Sequence, residues 1–117
     1  MSIFEKNLPT NSANYVPLSP ISFLKRAAQV VPEKIAIIDG NRQYTYKDFY
    51  RRSTMLATAL HNRGLKPGTC IAILAGNIPE MLEAHNGVPL MGGVLNSLNT
   101  RLDAETISFI LEHVESK

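Results

Sequence analysis

The side chains that could do chemistry are few and widely spaced. His61, His85 and His113 lie in separate stretches, with no cysteine or aspartate at metal-ligand spacing from any of them. Cys70 is the single cysteine and stands in an apolar run, which favours a small buried residue over a nucleophile. No serine occupies a G-x-S-x-G elbow. We therefore predict no catalytic, cofactor-binding or metal-binding residue in this chain.

Phosphate-binding loops are also missing, since neither G-x-x-x-x-G-K nor G-x-G-x-x-G after a strand occurs. The nearest candidate for holding an anion is the turn Gly76-Asn77, between an apolar run and a helix that opens near Pro79. Ligands bind at the carboxyl ends of parallel strands, and N–H groups at a helix start can hold anions. Every strand–helix unit has such a turn, however, so we interpret it as a turn and helix start.

Four helices are predicted along the chain. The first has Ser19 as N-cap and stops before Pro32. The second follows a capping box of Thr45 and Asp48, carries one apolar face and ends at Gly64. The third, Pro79–Met91, contains Gly87 and Pro89, so it either kinks or needs small residues for close packing. The fourth is capped by Asp103 and has an apolar face formed by Ile107, Ile110, Leu111 and Val114.

The predicted strands are a hairpin of Lys34–Asp39 and Arg42–Tyr46, the apolar run Cys70–Ala75, and Gly93–Leu98. Their alternation with helices predicts an α/β fold with an incomplete, mainly parallel sheet and flanking helices. Residues 1–18 are predicted to form an irregular N-terminal arm and residues 19–117 one unit. Met55, Met81 and Met91 are expected in the core, and the pairs Lys25-Arg26 and Arg51-Arg52 on solvated helix faces.

Composition excludes several classes of protein. The 117 residues are 44% hydrophobic and 19% charged, with a net charge of +2, which fits a globular protein but no charge-driven nucleic-acid or membrane-surface binder. No apolar run reaches the length of a membrane span, and no secretory signal is visible. A single cysteine permits no internal disulfide, which favours a reducing, intracellular compartment.

Five segments, in order, resemble patterns of the AMP-forming adenylating enzymes, the superfamily of acyl-CoA synthetases. Tyr44–Phe49 resembles the family's L-[ST]-Y-x-E-L, with Asp48 in place of the usual Glu. His85–Asn96 resembles H-x-x-V-P-x-x-G-A-V-L-N, with Gly93 in place of Ala. The others are Asn11–Ala28, which resembles the opening of acyl-activating enzymes, Ala75–Glu80, ending N-x-P-E, and Asn99–Leu102, matching N-x-R-L.

This resemblance implies an enzyme that activates a small carboxylic acid with ATP and Mg²⁺, after which coenzyme A displaces AMP. The family places its phosphate loop, its acidic groups and its C-terminal lysine after the matched region. The resemblance therefore implies a segment truncated before the phosphate loop. We expect it to bind no cofactor and to be inactive alone, with the rest of the adenylation domain and the C-terminal domain as its partners. Cytoplasm and peroxisome are both used by similar enzymes.

The matched residues are expected to serve as scaffold. Tyr46 and Phe49 would be core aromatics, Gly92 and Gly93 close-packing glycines, and Asn77 and Asn99 turn caps. Two alternatives stay open. One is a short non-catalytic α/β interaction module or pseudo-enzyme subunit, whose open sheet edges would favour association. The other is a flavodoxin-like nucleotide binder, which would need more parallel strands and a phosphate-binding turn.

Overall fold

The computed structural model describes residues 15–117 together with residues 3, 6 and 11–13. Residues 15–18 belong to neither a helix nor a strand and are exposed, while half of the predicted arm, residues 1–18, lies outside the described residues. The elements, in chain order, are α1 (Pro20–Val30), β1 (Ile35–Asp39), β2 (Arg42–Thr45), α2 (Tyr46–Asn62), β3 (Cys70–Leu74), α3 (Pro79–Leu90), β4 (Val94–Leu98) and α4 (Ala104–His113).

The helices α1 and α2 begin at the side chains that the sequence predicts. The hydroxyl of Ser19 accepts a hydrogen bond from the Ile21 N–H at 3.3 Å, with Pro20 at the first helical position of α1. At α2 the hydroxyl of Thr45 accepts from the Asp48 N–H, and the Asp48 carboxylate accepts from the Thr45 N–H, which completes the capping box. The α/β class and these helix starts are confirmed.

The strands form two small sheets. β1 and β2 pair antiparallel as a hairpin, whereas β3 and β4 pair parallel in a register that runs from Cys70 opposite Val94 to Leu74 opposite Leu98. Within the described residues the hairpin and the parallel pair share no ladder. In the parallel pair, α3 forms the crossover that connects β3 to β4.

Close packing between α2 and α3 explains the glycine inside α3. A Cβ at Gly87 would lie 2.9 Å from the backbone oxygen of Ser53 and 2.9 Å from the Cδ2 of Leu56, both on α2. Ser53 is fully buried at this contact, and the core behind it contains Val88, Ile71 and Met91. α3 continues through Pro89 to Leu90. Of the two explanations offered for the small residue, the structure supports close packing.

The other positions predicted to be scaffold include two glycines and an asparagine in a turn. Gly92 has a φ of +84° and faces Pro67, so its backbone conformation favours glycine. Gly93 is closely packed, since a Cβ there would lie 2.9 Å from the Cε of Met91 and 3.2 Å from the Thr69 carbonyl oxygen. The Asn99 side chain accepts from the Arg101 N–H at 3.0 Å, as a turn cap does.

Three predictions require correction or qualification. Met55 is 61% exposed and is not part of the core, because the core side of α2 is formed by other residues, among them Ser53, Ala57 and Leu60. The N-cap of α3 is Ile78, with no side-chain hydrogen bond, so Asn77 does not cap that helix. Tyr46 and Phe49 are only half-buried.

Candidate functional site

The carboxyl ends of β3 and β4 open into a cleft of about 450 Å³, which we call the strand-end cleft. It includes the turn that the sequence singled out as the nearest candidate for an anion. Ligands bind at this end of parallel strands in open α/β sheets. The residues that line it are Ala75, Gly76, Asn77, Met81, His85, Ser97, Leu98, Asn99, Thr100 and Arg101.

A second, more apolar cavity of about 300 Å³ adjoins the strand-end cleft. The two share Asn77, Met81 and His85 as lining residues. The remaining wall comes from the hairpin and from the first turn of α3, with Ile37, Ile38, Asp39, Ile78, Pro79 and Leu82. Together the cavities form one groove with an apolar end at the hairpin and a polar end at the loop after β4.

Hydrogen bonds orient two of the polar residues in the cleft. The Nδ1 of His85 lies 2.8 Å from the backbone oxygen of Met81, and because a carbonyl only accepts, Nδ1 carries the proton. The Nε2 of a neutral His85 is then an acceptor. The turn bond from Arg101 to Asn99 fixes the start of the loop after β4. The start of this loop is thus held by a local hydrogen bond to the Asn99 side chain.

The charge of the cleft comes from Arg101. Its side chain makes no ion pair with any residue that the structure describes, and no carboxylate lines the cleft. Mg²⁺ needs oxygen ligands of the carboxylate kind, so these residues do not fit a magnesium site. The cleft could interact with a polar or anionic group through hydrogen bonds and one positive charge, without metal chemistry.

A network of ion pairs behind this groove joins the hairpin to α2 and α3. The Arg52 guanidinium contacts the Glu83 carboxylate and lies over the Tyr44 ring, 5.0 Å from its centre. Arg42 donates to Asp39 and, at 2.9 Å, to Glu80. The Glu83 hydrogen bond raises the pKa of Arg52, and hydrogen bonds to Asp39 and Glu80 raise that of Arg42. The pKa of Glu80 is lowered first by a hydrogen bond from its own backbone N–H and then by the hydrogen bond from the Arg42 side chain.

Sequence reasoning missed the partner of Arg52. Arg51 is exposed, as expected, but the side chain of Arg52 is 34% exposed and that of Glu83 only 10%. A glutamate among the apolar residues of α3 was the available signal, because a buried carboxylate needs a cation. Its partner could not be chosen from sequence, since 31 positions separate the two residues.

The candidate residues of the sequence do not come together. His61, His85 and His113 are all exposed, and His113 stacks on Phe109 with ring centres 5.5 Å apart. Cys70 is half-buried, with its Sγ 3.5 Å from the Ser116 Oγ. Among the described residues no three of the types His, Cys, Asp and Glu cluster as metal ligands would. Only the turn Gly76-Asn77 and His85 share a cavity.

Comparison with known proteins identifies the family of this chain. The family model described as AMP-binding enzyme matches residues 24–117. The chain belongs to the AMP-binding enzyme family. This confirms the resemblance carried by the five ordered segments.

Several curated relatives within the AMP-binding family are described as CoA ligases. The peroxisomal acetate/butyrate–CoA ligase of Arabidopsis thaliana is 49% identical over 110 residues, which cover 94% of this chain and 19% of the relative. The acetate–CoA ligase of Humulus lupulus is 45% identical over 107 residues, covering 92% of this chain and 19% of the relative. The chain thus spans about a fifth of the length of these relatives.

Solved structures of adenylate-forming enzymes share the fold. A protein of Rhodopseudomonas palustris that is described as a long-chain-fatty-acid CoA ligase superposes with a TM-score of 0.80. It is 30% identical, and the match covers 85% of this chain and 25% of that one. O-succinylbenzoate CoA synthetase of Bacillus subtilis, solved in complex with ATP and magnesium ion, gives a TM-score of 0.75 and 30% identity, covering 80% of this chain and 26% of that one.

In the described part of the AMP-binding chain, no helix is both long and apolar enough to cross a bilayer.

Proposed function

We propose that the chain is the first segment of the adenylation domain of an ATP-dependent acyl-CoA ligase. The whole enzyme would convert a carboxylic acid, ATP and coenzyme A into acyl-CoA, AMP and pyrophosphate. The observation that carries this proposal is the 49% identity to an acetate/butyrate–CoA ligase over 94% of the chain. The same likeness favours a ligase segment over a non-catalytic interaction module.

The contribution of this segment is structural. Acyl transfer through an adenylate needs charge stabilisation of the phosphates and a bound metal ion. The strand-end cleft has no carboxylate to hold Mg²⁺, and the sequence has no phosphate loop. We propose that ATP, Mg²⁺ and coenzyme A bind to groups supplied by the rest of the enzyme, while residues 19–117 supply packed helices and strands and residues 1–18 an arm.

For the substrate we propose a short-chain carboxylic acid. This assignment rests on two relatives that are described as acting on acetate or butyrate, and it involves no residue of this chain. For the compartment we propose peroxisome or cytoplasm, with peroxisome supported by the description of the first relative.

Acid-dependent exchange of pyrophosphate into ATP tests the proposal. The longer polypeptide encoded by the gene is expected to exchange with acetate or butyrate, whereas the 117-residue chain, checked for folding by circular dichroism, is expected to show no exchange. Exchange by the short chain would overturn the structural role of this segment. Failure of the longer polypeptide with acetate and butyrate would overturn the substrate assignment, and failure with straight-chain, branched and aromatic acids alike would overturn the proposed ligase activity.

A further inference from the structure

Backbone hydrogen bonds hold the hairpin of β1 and β2 at its base. The Tyr46 N–H donates to the Lys34 carbonyl at 3.0 Å, and the Lys47 N–H donates to the Pro32 carbonyl at 3.1 Å. These bonds fix the outer ends of both strands beside the start of α2. Among the described residues, no backbone hydrogen bond joins the tip of the hairpin, at the turn 40–41, to another element.

One arginine joins the tip of the hairpin to α3. Arg42 is the first residue of β2 and lies opposite Asp39 in the last pair of the ladder. Its guanidinium donates through Nε to Asp39 at 3.1 Å and through Nη1 to Glu80, in the first turn of α3, at 2.9 Å. In the described part of the chain, the bond to Glu80 is the only hydrogen bond between the hairpin and α3. The Arg52 guanidinium lies 4.0 Å from the same oxygen, so α2 places a second positive charge beside this carboxylate.

This ion pair lies beside the apolar cavity of about 300 Å³ between the hairpin and α3. Asp39 lines the cavity from the hairpin, and Pro79 and Met81, the two neighbours of Glu80, line it from α3. Ile37 on β1 is part of the same wall and is only 7% exposed. The distance between the hairpin tip and the first turn of α3 therefore sets how open the cavity is to water.

The connection between the tip and α3 can open without breaking the rest of the fold. The side chains of Arg42 and Glu80 are 45% and 41% exposed, and ion pairs this accessible to water contribute little to stability. Neither the ladder between β1 and β2 nor the parallel pair has to separate when this ion pair breaks. A hairpin held by its backbone at the base and by one exposed ion pair at the tip is able to swing about its base.

We propose that the hairpin is a flap over the apolar end of the groove and that Glu80 is the latch, the residue that keeps this flap closed. Glu80 is a positioning residue, because it acts by holding the hairpin tip against α3. When the Arg42–Glu80 ion pair breaks, the tip moves away from α3 and water reaches the cavity beside Ile37. This inference concerns the conformation of the groove, so it can fail independently of the proposed ligase function.

Access of a soluble paramagnetic agent to buried methyl groups, measured by NMR, tests the latch. Glu80→Gln removes the charge and keeps the length of the side chain. In this variant the agent should relax the Ile37 methyl protons at least about twofold faster than in the native chain. Ile71 is the matched reporter, since it is 8% exposed but lies in the core with Val88, and its relaxation should not change. Equal increases at Ile37 and Ile71 would indicate a general loosening and overturn the proposal, as would an unchanged Ile37.

Glu33→Gln is the matched control variant. Glu33 also pairs with a cation, its Oε1 lying 3.9 Å from the Lys47 Nζ, but this pair is at the base of the hairpin and both side chains are well exposed. The variant should leave the relaxation of Ile37 at its native value. An increase as large as that in Glu80→Gln would show that the loss of any carboxylate suffices, and the latch would be wrong.

Arg42→Gln breaks the same ion pair from the hairpin side. It should also raise the relaxation of Ile37, and the variant that combines it with Glu80→Gln should not exceed the larger single effect, because one ion pair is lost in each case. Effects that add up would show that the two residues act separately and would contradict the latch. Circular dichroism checks the folding of each variant. Where a 117-residue variant does not fold, the same comparison of Ile37 with Ile71 in the longer polypeptide decides by the same outcomes.

Discussion

The contact between α2 and α3 and the exposed helix α4 show two outcomes of the same kind of sequence pattern. Both α2 and α4 carry an apolar face at helical spacing. α2 packs against α3 so closely that Gly87 has no room for a Cβ, whereas no residue of α4 is buried. An amphipathic pattern thus predicts which face of a helix seeks a partner, but the partner must also be present. For α4 that partner is absent among the described residues.

The two regions also differ in how their charges are placed. At α2–α3 a buried carboxylate, Glu83, is neutralised by Arg52 across the interface. At α4 the charged groups are exposed, and Asp103 serves only its own helix start. Substitutions at the interface should therefore change stability far more than substitutions on α4.

Arg52→Met should have the largest effect, because it leaves Glu83 buried without a cation. Breaking a fully buried pair costs about 3–5 kcal/mol. Since a third of the Arg52 side chain reaches solvent, we expect a loss of about 2 kcal/mol in the free energy of unfolding, measured by urea denaturation.

Arg51→Met is the matched control for this substitution. Arg51 is the neighbouring residue on α2, is 65% exposed and pairs with Asp48 at 3.5 Å. Its replacement should cost less than about 0.5 kcal/mol. Equal losses for the two variants would contradict the role of Arg52. Combining Arg52→Met with Glu83→Gln should recover part of the lost stability, because the unpaired charge is then gone.

Gly87→Ala should lower stability by about 1–2 kcal/mol, because overpacking outweighs the gain of about 1 kcal/mol in helix propensity. The added Cβ meets a backbone oxygen of α2, which can move only if the two helices separate. Gly76→Ala is the control, since a Cβ there meets nothing within 4 Å. A Gly87→Ala variant as stable as Gly76→Ala would show that the helices part easily.

Helix and strand positions could be predicted because their signals are local. Ser19, Thr45 with Asp48, and Asp103 each accept backbone hydrogen bonds within their own first turn, so the sequence around them suffices. The parallel pairing of β3 with β4 also followed, from two apolar runs separated by a helix.

Contacts between distant residues could not be predicted in the same way. Arg52 was expected in solvent, because nothing near it in sequence names Glu83 as its partner. Met55 was expected in the core because methionine is an apolar residue that often fills cores. Residue type alone does not show where the buried face of α2 ends, and Met55 lies outside that face. Of the strand-end cleft, the sequence indicated only the turn Gly76-Asn77. Arg101 also lines the cleft, but its position depends on the path of the loop after β4, which the local sequence does not predict.

Asp103 allows a test based on pH. Two hydrogen bonds from Thr106, first from its backbone N–H and then from its side-chain hydroxyl, lower the pKa of Asp103 below its ordinary value of 3.8. A carboxylate whose pKa is lower in the folded state stabilises the fold above that ordinary value, and this stabilisation is lost as the pH falls through the folded-state pKa. Asp103→Asn keeps the capping oxygen but does not titrate.

The stability difference between the native chain and Asp103→Asn should therefore shrink as the pH falls from about 7 to about 3. Urea denaturation at each pH measures it. A difference that stays constant over this range would mean that the carboxylate charge contributes nothing to the start of α4, and that the capping oxygen alone matters.

Phe109→Ala should have the smallest effect in the 117-residue chain. Phe109 is 64% exposed on α4, so its removal should cost less than about 0.5 kcal/mol. Val88→Ala, at a side chain only 2% exposed in the α3 core, should cost about 2 kcal/mol and serves as the control. In the longer polypeptide the cost at Phe109 should exceed about 1 kcal/mol if further residues cover α4, because its ring then leaves water. The same small cost in both chains would place Phe109 on the finished surface, and the exposure of α4 would then be a property of the whole protein.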